Sequence, residues 1–299
     1  MVFDVPAESG GALSILNDFY EEVKDFEDKS IKWIFVVSKP KYRETENIKI
    51  LRFPWVKKSW FHRLYFDQFI APSLVKKYGV NQIFSLQNVV VPRTKVEQVL
   101  YVHQSLPFVE YNFKFKENKL FWIYQKIISK LIYKSIKKSK KVIVQMNWFK
   151  EECIKKTNVS DDKIVVVPPR INIEINKYYT DEKRDNSIFF YPSGSSYYKN
   201  HYLIVKACDR LVKKGYNNFT IIFTLKGNET SHISNLYEEV KNKNLPIKFL
   251  GEIDREQVFD YYSSSILLFP SYIETFGLTL LEAKLHGSII LASKTPFSE

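Results

Sequence analysis

The stretch SYIETFGLTLLEAKLHG, residues 271–287, follows the apolar run SILLFP at 265–270. Two glutamates in it, Glu274 and Glu282, lie eight positions apart on either side of Gly277. The apolar run predicts a buried strand, and the periodicity after the glycine predicts a helix. The sequence therefore predicts a strand–turn–helix unit with a carboxylate on each side of the turn.

This turn has two interpretations. Backbone N–H groups at Gly277, Leu278 and Thr279 would point out of the helix N-terminus, where an anion binds well, and glycine permits close approach of a phosphate. Glu274 in the loop and Glu282 in the helix could then accept hydrogen bonds from two ends of one polyol ligand. Alternatively, Thr279 and Glu282 have the S/T-x-x-E spacing of a capping box, and Glu274 could be a solvated loop residue.

The composition predicts a folded protein with an anionic partner. Hydrophobic residues make up 45% and aromatic residues 16% of the 299 positions, which suffices for a large core in two domains. The net charge of +12 favours nucleic acid, a phosphorylated substrate or a membrane surface, without choosing among them. The two cysteines have neither a disulfide framework nor metal-ligand spacing, which favours a reducing compartment.

No segment predicts a targeting signal or a membrane span. The opening residues MVFDVPAESGG carry two acidic residues and no apolar h-region, so no signal peptide is expected. No window approaches the length of uncharged apolar sequence that a span requires. We therefore predict a cytoplasmic location, with peripheral attachment to the inner face of the membrane as a further expectation.

Short β-rich runs alternate with helix-period segments almost throughout the chain. Predicted strands lie at 33–37, 48–51, 82–86, 98–102, 141–145, 163–167, 187–192, 219–225, 246–250, 265–270 and 288–293. Predicted helices lie at 12–27, 58–78, 118–139, 147–157, 201–214, 232–243, 254–263 and 279–286. Such alternation, with unbroken apolar strands, favours parallel sheets covered on both faces. The predicted fold class is α/β, with two doubly wound Rossmann-like domains and a cleft between them.

A polar, irregular stretch divides the two series of strands. It covers residues 171–186, directly after the helix-breaking PPR at 168–170, and it suits a linker. We predict an N-terminal domain at 1–170 and a C-terminal domain at 187–299.

The segment ETFGLTLLE at 274–282 resembles the E-x7-E signature of glycosyltransferase family 4, retaining enzymes of the GT-B fold within the glycosyl transferases group 1. Four further segments resemble the family in its order: ESGGALSILNDFYEEV (8–23), QVLYVHQSLPF (98–108), SKKVIVQMNWFKEECIKKTNVSDDKIVVVPP (139–169) and FYPSGSSYYKNHYLIVKA (190–207). The resemblance implies an acceptor-side N-terminal domain and a C-terminal domain that binds a nucleotide-sugar.

The resemblance also implies roles for residues of the C-terminal domain. Glu274 would bond hydroxyls of the donor sugar, and Glu282 would bond the ribose. Gly277 and Leu278 would meet the diphosphate with backbone N–H groups. Lys199 would neutralise the departing diphosphate, a role that stabilises charge developing in the transition state. From composition alone Lys199 would be a solvated loop lysine, and removing Glu274 is expected to leave the fold intact.

In the N-terminal domain, the resemblance implies that Gly10 and Gly11 form a tight turn facing the donor phosphate and the acceptor. His103 would line the cleft near the reacting sugar carbon. Structural alternatives stay open, because two glycines also suit a plain strand–helix turn and a single histidine at a strand end is more often structural.

No metal or cofactor is predicted. The sequence has no His/Cys/Asp cluster and no DxD motif, and the resemblance implies a metal-independent enzyme with a nucleotide-diphosphate sugar as substrate. One departure concerns the basic loop, where family members often carry an arginine shortly before the lysine. Here Ser195 or Ser196 stands in its place, and the departure bears on the affinity for donor phosphate.

The segment KFKENKLFWIYQKIISKLIYKSIKKSKK, residues 114–141, holds ten lysines and one glutamate among aromatic and aliphatic residues. A basic amphipathic helix is typical of an element that binds an anionic membrane surface. A domain helix with a lysine-rich solvent face would have a similar sequence. We predict an anionic membrane as a partner through 114–141, with the second interpretation open.

The leading predicted function is a retaining hexosyl transfer from a nucleotide-sugar to a glycan or lipid-linked glycan, in bacterial surface polysaccharide biosynthesis. A non-catalytic glycosyltransferase-like partner subunit is the alternative, favoured by the missing arginine and by the end of the chain at Glu299, directly after a strand. From that ending we also expect an incomplete C-terminal domain with weak donor binding. Nucleic-acid binding is disfavoured, because arginine is scarce and no such motif occurs.

Overall fold

The computed structural model describes residues 1–169, 175, 178–180 and 185–298. The chain divides into two compact units, Met1–Ile171 and Asn172–Glu299. The predicted linker at 171–186 lies mostly outside the described residues.

A seven-stranded sheet forms the centre of the N-terminal unit. Its strands are β1 (Val2–Asp4), β2 (Trp33–Val37), β3 (Ile48–Arg52), β4 (Gln82–Ser85), β5 (Glu97–Tyr101), β6 (Lys141–Val144) and β7 (Ile164–Val166). The order across the sheet is β3-β2-β1-β4-β5-β6-β7, and every neighbouring pair is parallel. The order reverses between β1 and β4, and ligands of open α/β sheets bind at such a switch point.

Strand β1 is the strand of this sheet that periodicity did not predict. Its residues Val2, Phe3 and Asp4 are all buried. Three residues are too few for an alternating pattern, and aspartate is depleted in strands. The consequence for function is that Asp4 ends a central strand at the edge where ligands bind.

Helices connect these strands. They are α1 (Gly10–Asp25), α2 (Trp60–Tyr65), α3 (Ala71–Lys77), α4 (Lys119–Ile123), α5 (Ser129–Lys138) and α6 (Asn147–Thr157). A π-helical turn, Phe66–Ile70, joins α2 to α3, and a second one, Tyr124–Ile128, joins α4 to α5. The helices predicted at 58–78 and 118–139 are therefore real, but each contains one such interruption.

The C-terminal unit contains a five-stranded parallel sheet. Its strands are β8 (Ile188–Tyr191), β9 (Thr220–Phe223), β10 (Ile247–Phe249), β11 (Ile266–Phe269) and β12 (Ile290–Ala292). Its helices are α7 (His201–Lys213), α8 (Ser231–Asn242), α9 (Arg255–Ser264) and α10 (Leu278–Leu285). The strand order is β10-β9-β8-β11-β12, so the switch point lies between β8 and β11.

Both units therefore have the doubly wound α/β architecture that the alternation of elements predicts. The central strands are apolar because helices cover both of their faces; Phe190 in β8 and Phe269 in β11, for example, are almost fully buried. Among the described residues, no helix is long and apolar enough to cross a membrane. Cys153 and Cys208 are buried free thiols.

Candidate active site

Residues 271–287 form the predicted turn at the carboxyl end of β11. Gly277 is the residue directly before α10 and has φ 75° and ψ 50°, a left-handed conformation that glycine adopts without strain. A Cβ atom at this position would lie 3.3 Å from Leu280 Cδ1. The left-handed backbone conformation favours glycine at this position, and any larger residue would in addition make the Leu280 side chain shift slightly.

The capping-box interpretation of Glu282 is wrong. Helix α10 begins at Leu278, one residue before Thr279, and Gly277 occupies the N-cap without any side-chain cap. Thr279 therefore lies inside the helix and cannot act as its N-cap. The N-terminal N–H groups of α10 donate to no capping side chain, which leaves them available to an external anion.

Glu282 is instead held by helix α9. Its two carboxylate oxygens accept from Arg255 Nη2 at 3.2 Å and from the Tyr262 hydroxyl at 3.4 Å. Burial raises the pKa of Glu282, and the charge of Arg255 and the hydroxyl of Tyr262 oppose this rise. Sequence analysis missed both partners, because they lie more than one element away and no local pattern marks them.

Glu274 and Lys199 form an ion pair. Lys199 Nζ donates to Glu274 Oε1 at 2.6 Å, and the side chains are only 19% and 15% exposed. Lys199 ends a 3₁₀ turn, Tyr197–Lys199, that follows β8. The interpretations of both residues as solvated loop residues are therefore wrong, because the loops after β8 and β11 bring them together across the switch point.

Ser271, which sequence analysis missed, fixes the position of Glu274. Its hydroxyl is fully buried and donates to Glu274 Oε1 at 2.7 Å. Ser271 Oγ also lies 3.3 Å from the Tyr198 carbonyl oxygen, and the Tyr272 N–H donates to that carbonyl at 3.2 Å. The loops after β8 and β11 are thus joined through Tyr198, which limits the rotamers open to Glu274.

The basic loop lacks the arginine that the resemblance implies. Ser195 and Ser196 lie between β8 and the turn that carries Lys199. The ring of His232, from α8, lies 5.7 Å from the ring of Tyr197 in the same turn. Burial lowers the pKa of His232, so this ring adds little positive charge at neutral pH. Lys199 is accordingly the cation that this loop places against Glu274.

Three further predicted site residues belong to the N-terminal unit. Gly10, with φ 59°, is the first residue of α1, and the N-cap Ser9 makes no side-chain cap bond. A Cβ atom at Gly10 or Gly11 would meet nothing within 4 Å. Both glycines therefore begin α1 and border open space at its N-terminus, and their predicted turn facing the donor phosphate and the acceptor stays a prediction.

His103 lies directly after β5 in a fixed position. Its backbone N–H donates to Asn88 Oδ1 at 2.7 Å. Burial lowers the pKa of its ring to about 4, although a hydrogen bond to the Leu86 backbone partly opposes this shift. The imidazole is therefore neutral at physiological pH, and its catalytic role stays a prediction.

Asp4 is a candidate residue that sequence analysis did not recognise. It is 1% exposed, and neither of its carboxylate oxygens has a hydrogen-bond partner of good geometry among the described residues. Burial raises its pKa to about 7, against the opposing effects of the Ala7 backbone amide, Arg63 and Lys57.

Two further buried polar atoms at the same edge of the sheet have no partner in the described part of the chain. They are Ser38 Oγ, directly after β2, and Gln87 Oε1, shortly after β4. These strands flank β1 on its two sides. Since buried polar atoms are normally paired, this edge is a candidate site for a polar ligand.

Metal ligands do not cluster in the described part of the chain. No group of three or more His, Cys, Asp or Glu side chains there is arranged to hold a metal ion.

Comparison with known proteins supports the sequence resemblance. Residues 172–299 match the family model described as Glycosyl transferases group 1. This match contains the stretch 271–287 and confirms the resemblance at the level of that family for this part of the chain. Comparison with curated protein sequences gives no match.

Several solved structures share the fold of the whole chain. The Anabaena protein Alr3699/HepE, solved with UDP and glucose, has a TM-score of 0.65 and 15% identity over 99% of this chain and 81% of that one. Sucrose-phosphate synthase from Thermosynechococcus elongatus has a TM-score of 0.70 and 17% identity over 98% and 80%. WaaG, a glycosyltransferase involved in lipopolysaccharide biosynthesis, has a TM-score of 0.65 and 13% identity over 97% and 80%. The fold is the predicted GT-B fold.

Proposed function

We propose that this chain, which has the GT-B fold and whose residues 172–299 match the glycosyl transferases group 1, moves a hexose from a nucleotide-diphosphate donor to a glycan or lipid-linked glycan. The observation that carries the proposal is the mostly buried Lys199–Glu274 pair at the switch point between β8 and β11. A cation for the phosphates and a carboxylate for sugar hydroxyls lie side by side there, close to the uncapped N-terminus of α10.

Donor binding would exchange the partners of this ion pair. The diphosphate would accept hydrogen bonds from Lys199 and from the N–H groups of Leu278 and its neighbours, and the sugar hydroxyls would donate hydrogen bonds to Glu274. Hydrogen bonds to a charged group are stronger than neutral ones, so the exchange replaces one strong interaction by several. Ser271 would keep the Glu274 carboxylate in place, while Arg255 would orient Glu282 toward the ribose.

For the chemical step we propose retention of the anomeric configuration without a covalent nucleophile. The acceptor hydroxyl would attack on the face from which the diphosphate leaves, and the leaving phosphate would take its proton. Lys199 and the helix N-terminus would stabilise the negative charge that develops on the leaving group. The positive charge would thus come from the chain itself, which is consistent with a metal-independent reaction.

The acceptor side of the proposal concerns the N-terminal unit. Gly10, Gly11 and His103 lie at or near the carboxyl edge of its sheet, and the buried carboxyl of Asp4 ends its central strand. We propose that this edge receives the acceptor glycan. A role in bacterial surface polysaccharide synthesis at the cytoplasmic face of the membrane extends the proposal, supported by the fold shared with WaaG.

A panel of nucleotide-sugars tests the proposed donor site. We expect one donor to raise the melting temperature by several degrees at saturation, since a ligand at about 100 times its Kd contributes about 2.7 kcal/mol. Lys199→Gln should abolish this shift, whereas Lys206→Gln, which removes a surface lysine from the same unit, should keep it. Release of free nucleotide from the stabilising donor would distinguish the enzyme from a non-catalytic partner subunit. No shift with any donor would contradict the proposal.

We further propose that the segment 114–141 binds an anionic membrane. The exposed side of this segment carries Leu120, Ile127 and Leu131, which are 47%, 51% and 52% exposed, beside the lysines. A helix that only faced water would place polar residues at such positions. This observation favours the membrane interpretation over a plain lysine-rich solvent face.

Neutralising four exposed lysines of α5 tests this contact. Replacing Lys130, Lys134, Lys137 and Lys138 by glutamine should release the protein from anionic vesicles at moderate salt, because each lysine near the surface contributes up to about 1 kcal/mol. The matched control replaces four exposed lysines of the C-terminal unit, Lys214, Lys226, Lys241 and Lys248, and should bind like the wild type. Equal binding to neutral and anionic vesicles would contradict the proposal.

A further inference from the structure

Exposed apolar side chains cover one side of α2 and continue into the π-helical turn that follows it. Trp60, Phe61, Leu64, Tyr65 and Phe69 are 59%, 83%, 57%, 53% and 54% exposed, respectively. Single exposed apolar side chains are normal, but a contiguous group marks a surface that binds something. We call this group the apolar surface.

Rotation of the helix could not bury the apolar surface without exposing other apolar side chains. Phe66, Ala71 and Val75 lie on the opposite side of the same segment and are buried in the core of the N-terminal unit against strands β1, β2 and β4. Turning the apolar surface inward would expose Phe66, which is fully buried. The exposure is therefore a fixed property of the folded unit.

The apolar surface and the lysine-rich segment belong to the same face of the sheet. Phe3 pairs with Ser85, Ser85 with Leu100, and Leu100 with Val142. Side chains of directly paired residues point to one face of a sheet. On that face, Phe3 contributes to the core beneath the first π-helical turn and α3, whereas Leu100 and Val142 contribute to the core beneath α5.

The loop between β4 and β5 connects these two helical layers. The backbone N–H of Val90 in this loop donates to Ser135 Oγ of α5 at 3.1 Å. Three residues later, Arg93 donates to the Gln68 carbonyl at 3.4 Å and places its guanidinium 5.0 Å from the ring centre of Phe69. This one loop therefore contacts both α5 and the end of the apolar surface, so α5 and the apolar surface are neighbours.

Positive charge surrounds the apolar surface. Lys58 precedes it, Arg93 covers Phe69, and exposed lysines of 114–141 lie on the neighbouring helix α5, whereas Lys57 is paired with Glu8. Asp67, the acidic residue within the segment, is paired with Arg63 at 2.6 Å. The combination of exposed Trp, Tyr and Phe with flanking lysines is that of an element lying in the interface of an anionic bilayer.

We propose that the apolar surface inserts into the headgroup region of an anionic bilayer and forms, with the segment 114–141, one membrane-binding face of the N-terminal unit. The lysines attract the anionic lipid, and the apolar surface supplies the part of the binding that salt does not screen. The inference extends the membrane contact proposed above and does not depend on sugar transfer. A second copy of the chain is a poorer occupant, because a symmetric contact would oppose two basic surroundings.

The double variant Phe61→Ser/Leu64→Ser tests the inference in the whole chain. Both side chains are mostly in solvent, so the variant should melt like the wild type. We expect its partitioning into phosphatidylcholine/phosphatidylglycerol vesicles to fall about tenfold or more, and the salt-resistant fraction to disappear. The matched control, Leu211→Ser/Tyr216→Ser, removes two exposed apolar side chains from the C-terminal unit and should bind like the wild type.

Comparing this double variant with the four-lysine variant of α5 distinguishes insertion of the apolar surface from electrostatic attraction by the lysines. If the lysine variant is released and Phe61→Ser/Leu64→Ser binds as tightly as the wild type at every salt concentration, the apolar surface does not insert and the inference is overturned. If the wild type binds no vesicles, both membrane proposals fail. If the double variant instead converts a dimer to a monomer without a change in vesicle binding, the surface is a protein contact and the inference is likewise overturned.

Discussion

Replacing Glu274 by glutamine is expected to lower sugar transfer about 100-fold or more, while the C-terminal unit stays folded. In the proposed complex the carboxylate accepts hydrogen bonds from sugar hydroxyls, and a hydrogen bond to a charged group is worth about 1.5–3 kcal/mol. Because each 1.4 kcal/mol corresponds to a factor of ten in rate, losing one or two such bonds gives this magnitude. The measurement is kcat/KM with the donor that stabilises the wild type.

Glutamine is a better test than alanine because Glu274 has structural partners. The sequence predicted that a loop carboxylate could be removed without effect on the fold, but the structure gives Glu274 two partners, Lys199 and Ser271. Glu274→Ala would leave the mostly buried ammonium of Lys199 without its counter-charge and Ser271 without its acceptor. Such a loss destabilises, so that low activity of the alanine variant could reflect unfolding. Glutamine also removes the counter-charge of Lys199, but it keeps the shape of the side chain and one carbonyl oxygen that can accept from Lys199 and Ser271.

Glu239→Gln is the matched control for this variant. Glu239 lies in the same unit, is 22% exposed, and pairs with Lys206 at 3.1 Å and Lys243 at 2.6 Å. Replacing Glu239 therefore also removes the counter-charge of partly exposed lysines, but Glu239 lies on α8, away from the turn at 271–287. If Glu274→Gln and Glu239→Gln retain equal activity, the assignment of Glu274 to the donor sugar is wrong.

The regular part of the fold could be predicted because its signals are local. Apolar runs such as SILLFP at 265–270 identified buried strands, and the 3.6-residue period identified the α-helices of the described regions. The π-helical turns at Phe66–Ile70 and Tyr124–Ile128 escaped prediction, because one extra residue in a turn does not erase the periodicity around it. Strand β1 escaped because three residues carry no period.

In the candidate site, too, the residues marked by a local pattern could be predicted and those placed by tertiary packing could not. Glu274, Gly277 and Glu282 were found because one short stretch contains them all. Ser271 lies in this stretch too, but a serine after a strand has no distinctive pattern. Arg255, whose contact with Glu282 joins α9 to α10, is determined by tertiary packing alone. The capping box was predicted wrongly, because the left-handed Gly277 starts the helix before Thr279.

Asp4→Asn is expected to raise the free energy of unfolding of the N-terminal unit by about 2–4 kcal/mol at pH 8. The folded unit raises the pKa of Asp4 from 3.8 to about 7, mainly through burial. A folded-state pKa above the unfolded value means that the stabilising effect of the proton is complete below pH 4 and is lost as the pH rises through 7. At about 1.4 kcal/mol for each pKa unit, a charged Asp4 costs up to about 4 kcal/mol.

His103 has the opposite pH dependence in the same unit. Its folded pKa of about 4 lies below the ordinary 6.5, so protonation favours the unfolded chain and stability falls as the pH drops below 6.5. Between pH 4 and 6.5 the contributions of Asp4 and His103 therefore oppose each other in the wild type. Removing the carboxyl leaves the contribution of His103 unopposed, and the variant should lose stability more steeply with acid.

Tryptophan fluorescence isolates the unit in which Asp4 lies. All five tryptophans, the last of them Trp148, precede Ile171, so urea unfolding followed by their emission reports the N-terminal unit. We expect the difference between Asp4→Asn and the wild type to be small at pH 4 and to grow until pH 7 to 8. The control Asp161→Asn removes a carboxylate that is 78% exposed and should change stability by less than about 1 kcal/mol at any pH.

The sign of the Asp4→Asn effect also bears on function. A buried carboxyl that has no hydrogen-bond partner of good geometry in the described part of the chain and lowers stability at neutral pH is the kind of group that a fold retains for its functional site. If the variant is more stable but loses transfer to the acceptor, Asp4 belongs to the acceptor edge of the N-terminal sheet. If it is less stable than the wild type at pH 8, the carboxylate is already paired and charged in the folded unit, and both its raised pKa and its proposed place at the acceptor edge are wrong.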